Sequence, residues 1–179
     1  MAESLTLVLG GARSGKSAYA QQQLEAGGRP VLFVATATAG DAEMAARIAN
    51  HKASRPEHWR ALEAPLHIGR AVAQANFEGD VLLDCLTLLA SNVLMTCADP
   101  LDEKAYQAGM RQEMDEILDA CEKHTGRWMI VSNEVGLGLV PPTELGRCYR
   151  DELGRANQRL AAAADRVVFM TAGIPMPVK

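Results

Sequence analysis

The chain has no apolar run long enough to cross a bilayer. Its opening hydrophobic stretch, Leu5 to Leu9, spans five residues where a helical span needs about 20. It also has no block of basic residues. With 18 Lys and Arg against 22 Asp and Glu the formal charge is −4, which gives no electrostatic footprint for nucleic acid. Cys85, Cys97, Cys121 and Cys148 lie too far apart for a zinc knuckle, and His58, His67 and His124 share no metal-ligand spacing with them. Four reduced, mostly buried thiols are the expectation. Internal repeats, low-complexity tracts and linker-like composition are missing too, so residues 1–179 are expected to form one domain. Met1-Ala2-Glu3-Ser4 places an acid where a signal peptide carries basic charge, and a cytoplasmic location is expected. What is present is a 48% hydrophobic composition with 15 glycines, suited to a compact α/β core.

The most informative segment follows the first apolar run. Gly10-Gly11-Ala12-Arg13-Ser14-Gly15-Lys16-Ser17 fits the G-x-x-x-x-G-K-S pattern of a P-loop. A strand over Thr6–Leu9, a glycine turn and a helix from Lys16 would converge backbone N–H groups on phosphate oxygens. Lys16 would then reach the β- and γ-phosphates, and the Ser17 hydroxyl would hold Mg²⁺. A nucleoside triphosphate is the expected ligand.

Short apolar runs alternate with longer helical stretches, the pattern of a mostly parallel sheet with helices on both faces. Strands are expected at Thr6–Leu9, Val31–Ala35, Val81–Asp84, Trp128–Ser132 and Arg166–Thr171. Helices are expected at Lys16–Glu25, after an Asp41 cap, at Leu66–Asn76, at Leu101–Lys123, and from Pro141 through Ala164. In the third of these, counting from Leu101, the stripe Tyr106, Met110, Met114, Ile117, Leu118 and Cys121 is explained by core packing.

Several residues could carry chemistry. Asp84 ends a strand beside the P-loop, where a carboxylate can hold Mg²⁺; the pattern also allows a turn-capping aspartate. Thr87 and Asn92 follow closely enough to line the same crevice. Asn133 and Glu134 begin a glycine-containing loop at another strand end, again where open α/β sheets place ligands. His51 shares a helix face with Met44 and Ile48, which by pattern favours a hydrogen-bonded packing histidine over a nucleophile. Arg147 with Asp151, and Asp151 with Arg155, are spaced to pair along a solvated helix face. Arg147 and Arg150 could instead clamp phosphate.

Taken together, these motifs resemble the bifunctional adenosylcobinamide kinase / adenosylcobinamide-phosphate guanylyltransferase family of cobalamin biosynthesis. The resemblance runs from Gly10–Ser17 through Ala35-Thr36-Ala37, Asp41–Ile48, His51-Lys52, Arg55–Trp59, Asp84–Thr87 with Asn92, Asn133–Gly136, Arg150-Asp151 and Ala161–Asp165. It implies a RecA-like P-loop NTPase fold and a homotrimer. It also implies two reactions: phosphorylation of the aminopropanol hydroxyl of adenosylcobinamide by ATP or GTP, then GMP transfer from GTP to the resulting phosphate. His51 becomes the guanylylated nucleophile, reversing the pattern-only reading. Nucleotide contacts are implied at Gly10 to Ser17, Thr36, Lys52, Arg55, Glu63 and Asp84, with Ser17 and Asp84 on Mg²⁺. Asp84 stands where some relatives carry Glu, and Cys148 where some carry His. The second difference weakens any second catalytic histidine in the last helix. Two other readings share the P-loop: a kinase of another small molecule, and a regulatory protein switched by nucleotide.

Overall fold

The computed structural model describes residues 4–38, 49 and 55–179. Seven strands form one sheet: β1 (Leu5–Gly10), β2 (Val31–Ala35), β3 (Arg60–Glu63), β4 (Asp80–Asp84), β5 (Trp128–Val131), β6 (Arg166–Thr171) and β7 (Ile174–Pro177). Their order is β3-β2-β4-β5-β1-β6-β7, parallel throughout except for the β6–β7 hairpin. The helices are α1 (Lys16–Glu25), α2 (Ile68–Gln74), α3 (Leu86–Thr96), α4 (Glu103–Lys123) and α5 (Glu144–Ala163).

The sequence pattern explains the layering. Strand side chains alternate between two cores, so the central strands must be apolar at nearly every position. Leu5, Leu7, Leu32, Val34, Leu83, Trp128 and Ile130 pack on one face with buried side chains of α2 to α5. Val8, Phe33, Leu82, Met129 and Val131 pack on the other with Ala20 and Leu24 of α1. The expected stripe of α4 is borne out: Tyr106, Met110, Met114, Ile117 and Cys121 are buried, with Leu118 packed against them.

Three elements escaped the sequence reading. β3 is mostly exposed at the sheet edge, so Arg60-Ala61-Leu62-Glu63 carries no apolar run. β7, Ile174-Pro175-Met176-Pro177, holds two prolines, which an edge strand tolerates. Ala172 and Gly173, with φ of 51° and 83°, make the tight turn before it. The helix α3 follows Asp84 so directly that its apolar residues read as a continuation of the strand.

Helix starts also moved inward. α2 begins at Ile68 rather than Leu66, after His67 with φ 53°. The buried Glu113 of α4 accepts from the backbone N–H of His67 at 2.6 Å and of Ile68 at 3.2 Å, satisfying two orphan donors of that helix. α4 begins at Glu103, capped by Asp102, and α5 at Glu144, capped by Thr143. All four cysteines are free; Cys121 and Cys148 are buried, Cys85 and Cys97 half-buried. Among the described residues no helix is long and apolar enough to cross a membrane. The helix expected after Asp41, with Met44, Ile48, His51 and Lys52, lies outside the described residues.

Candidate active site

The carboxyl ends of β1, β2, β4 and β5 open onto a cavity of about 580 Å³. That size lies within the roughly 300–1,000 Å³ of small-molecule sites. Its wall on one side is the P-loop and the start of α1, from Ala12 to Ala18. Asp84, Cys85, Thr87 and Asn133 stand opposite, and Phe33, Arg55 and Glu63 close a third side.

The loop geometry follows from its glycines. Gly10 has φ 148°, and a Cβ there would sit 2.6 Å from the Met170 carbonyl oxygen and 2.7 Å from Ser14 Oγ, so only glycine fits. Gly15, at φ 96°, is the N-cap of α1 and offers no side-chain cap. The helix N-terminus is thus left open to an anion. The hairpin turn braces the loop from outside through Gly173 N–H on the Ser14 carbonyl, 3.0 Å.

Lys16 is buried and its Nζ donates to the Gly11 carbonyl at 2.6 Å, folding the ammonium back over the loop. Burial lowers its pKa, while Cys85 and the Asp84 carboxylate oppose the shift. Arg55 lies 3.9 Å over the Phe33 ring, a cation–π contact. Burial lowers its pKa as well, against Asp84 and Glu63. Lys16 and Arg55 therefore present positive charge to the cavity from two sides, with Asp84 acting on both. Burial and the same carboxylate push the Cys85 thiol up to about 11, so it stays protonated at neutral pH.

The far wall is a hydrogen-bonded chain. Asn133 N–H donates to Thr87 Oγ1 at 2.8 Å, Asn157 Nδ2 to the Asn133 carbonyl at 3.2 Å, and Tyr149 OH to the Thr87 carbonyl at 3.0 Å. α5 thereby fixes both wall residues from behind. Neither Tyr149 nor Asn157 was legible as a site residue; each reads as one more position on an amphipathic helix. Phe33 and Cys85 were missed because a strand centre and a strand exit look alike whether or not they face a ligand.

Not every candidate reaches the cavity. Thr36 is buried behind it, and Asn92 donates to the Thr36 and Pro65 carbonyls. Glu134 N–H donates to the Gly10 carbonyl, and its carboxylate accepts from Gly136 N–H. The expected pairs Arg147–Asp151 and Asp151–Arg155 are corrected. Arg147 turns back to the Pro141 and Pro142 carbonyls that lead into α5, each at 3.1 Å. Asp151 pairs with its neighbour Arg150 at 2.8 Å, and Arg155 is drawn to the buried Glu152.

A family model described as cobinamide kinase / cobinamide phosphate guanyltransferase matches residues 6–178. The chain belongs to this family. It is 45% identical over 174 residues to the bifunctional adenosylcobalamin biosynthesis protein CobP of Pseudomonas aeruginosa, covering 97% of this chain and 96% of that one. It is 40% identical over 181 residues to the bifunctional adenosylcobalamin biosynthesis protein CobU of Escherichia coli, covering 98% and 99%. Among solved structures, the RadB recombinase superposes with a TM-score of 0.51 at 18% identity over 93% of this chain and 73% of that one. That likeness fits the P-loop, RecA-like fold and says nothing of substrate. For this family member, Ser17 and Asp84 facing one cavity form an oxygen donor set of the kind Mg²⁺ takes.

Proposed function

We propose that this one cavity serves a bifunctional enzyme, kinase and guanylyltransferase, acting on adenosylcobinamide with ATP or GTP. The observation that carries the reading is the convergence of the P-loop, Lys16, Ser17 and Asp84 on a single opening, in a chain whose whole length matches the family. In the kinase step the aminopropanol hydroxyl oxygen bonds to the γ-phosphorus, the bond to the β-bridging oxygen breaks, and the nucleoside diphosphate leaves. The loop N–H groups and Lys16 stabilise charge developing on the transferred phosphoryl group. Ser17 and Asp84 would hold Mg²⁺, which supplies charge neutralisation to the phosphates when bound.

In the second reaction a neutral His51 nitrogen attacks the α-phosphorus of GTP and pyrophosphate leaves. The phosphate oxygen of adenosylcobinamide phosphate then displaces the imidazole to give adenosylcobinamide-GDP. This is nucleophilic catalysis in two displacements. Arg55, resting on Phe33, is a phosphate-facing guanidinium in this scheme, and Thr87 and Asn133 border the acceptor.

The assembly proposed is a homotrimer. Its support is apolar surface left exposed, with Leu139 at 96% and Ile174 at 65% relative exposure. Sedimentation equilibrium giving only a 19.2 kDa species would contradict it.

The kinase reading is tested by Lys16→Ala with adenosylcobinamide and ATP. Loss of its charge is expected to cost on the order of 3 kcal/mol, about a hundredfold in turnover, with the melting temperature little changed. A folded variant turning over within threefold of the parent would overturn the assignment.

A further inference from the structure

Thr36 follows the last residue of β2 and is fully buried. Its neighbours Ala35 and Ala37 line the cavity, and Thr36 does not. Its hydroxyl donates to the Cys85 carbonyl at 2.8 Å and accepts from Cys85 N–H at 3.0 Å. One side chain thus satisfies both backbone groups of the residue after Asp84. Thr36 N–H also donates to the Asp84 carbonyl at 3.4 Å. The backbone register of β2 and β4 ends at Ala35 and Asp84. The threonine hydroxyl carries that pairing one residue further, just where the two strands would otherwise splay at the cavity mouth. Asn92 of α3 completes the clamp, donating to the Thr36 carbonyl at 2.8 Å and the Pro65 carbonyl at 2.9 Å.

We propose that Thr36, backed by Asn92, is a positioning residue for the Asp84 carboxylate and not a contact to nucleotide. The proposal rests on the reading of Asp84 as a Mg²⁺ ligand. A hydroxyl whose proton is already given to one backbone group, and which accepts from another, has no donor left for a phosphate oxygen. What it controls is the backbone that carries a metal ligand. Mg²⁺ demands near-octahedral geometry at about 2.1 Å, so it penalises a displaced carboxylate more than a flexible site would. Valine keeps the shape of threonine but leaves both Cys85 backbone groups unpaired.

The test uses the full chain with Mn²⁺ as the spin probe and a non-hydrolysable ATP analogue. Mn²⁺ affinity is read by electron paramagnetic resonance in the presence of analogue, and analogue affinity is read separately in EDTA. Thr36→Val is expected to weaken Mn²⁺ binding about fivefold, with metal-free analogue affinity within about twofold of the parent. Thr36→Ser, which keeps the hydroxyl, should restore the parent value, and Asp84→Asn should weaken Mn²⁺ more than Thr36→Val does. If Thr36→Val does not fold, the half-buried Asn92→Ala carries the same comparison with a smaller expected effect. Equal losses of Mn²⁺ and metal-free analogue affinity in the Thr36 variant would overturn the proposal in favour of direct nucleotide contact. Unchanged Mn²⁺ affinity there, with Asp84→Asn impaired, would overturn positioning alone. Unchanged Mn²⁺ affinity in Asp84→Asn would remove the metal reading and this inference with it.

Discussion

The two ends of β4 each carry an aspartate, and the molecule uses them in opposite ways. Asp80 opens the strand, fully buried, and accepts from Arg127 backbone N–H and Nε at 2.9 Å each and from Nη2 at 2.5 Å, with Arg29 Nε at 3.6 Å. Asp84 closes the strand at the cavity wall, where its charge acts on Lys16 and Arg55. The residue type is the same and the strand is the same. Position along a parallel strand decides the role, because the loops at carboxyl ends open the crevice while amino ends are stitched shut. A buried charge surrounded by its own cations is architecture; one facing a cavity with cations on the opposite walls is equipment for a ligand.

Breaking this contrast at the stitched end should have the larger effect. Asp80→Asn removes the charge that faces two guanidiniums, and a loss of about 3 kcal/mol is expected. For a chain of this length that is a fall of about 6–12 °C in melting temperature. Nucleotide affinity of the folded fraction should stay within about twofold. A variant that melts like the parent but binds nucleotide poorly would reverse the two roles.

The cavity end should respond in the complementary way. Asp84→Asn keeps the shape and removes the charge that offsets Mg²⁺, so kinase turnover is expected to fall about tenfold, with residual activity demanding more magnesium. The melting temperature should move by less than that of Asp80→Asn. Unaltered magnesium dependence and rate would make Asp84 a structural residue like its counterpart.

The same contrast explains what could be read in advance. The P-loop was legible because glycine turns, Lys16 and Ser17 are constrained by local geometry and by phosphate chemistry at fixed spacing. The central strands were legible because both faces are buried, which forces apolar runs. α4 was legible because its apolar positions recur at helical spacing. β3 and β7 were not, since an edge strand has little to bury and so leaves little pattern. Asp84 could be placed at a strand end, yet its pattern suited a capping aspartate equally well. Only the tertiary arrangement brings Arg55 and Glu63, far along the chain, to the same opening. Thr36 and Asn92 read as ligand contacts because polar residues near a P-loop look alike in sequence. The structure turns both of them toward backbone, inside the wall.

The central claim is that one chain performs both transfers, the second through a covalent intermediate at His51. It is tested most directly by incubating the enzyme with GTP labelled at its α-phosphate and then denaturing it. The account predicts label retained on the chain, labile to acid and stable to alkali as a phosphoramidate is, chased off by adenosylcobinamide phosphate and missing from His51→Ala. Equal labelling of folded His51→Ala, or GMP transfer at the parent rate by that variant, would contradict it.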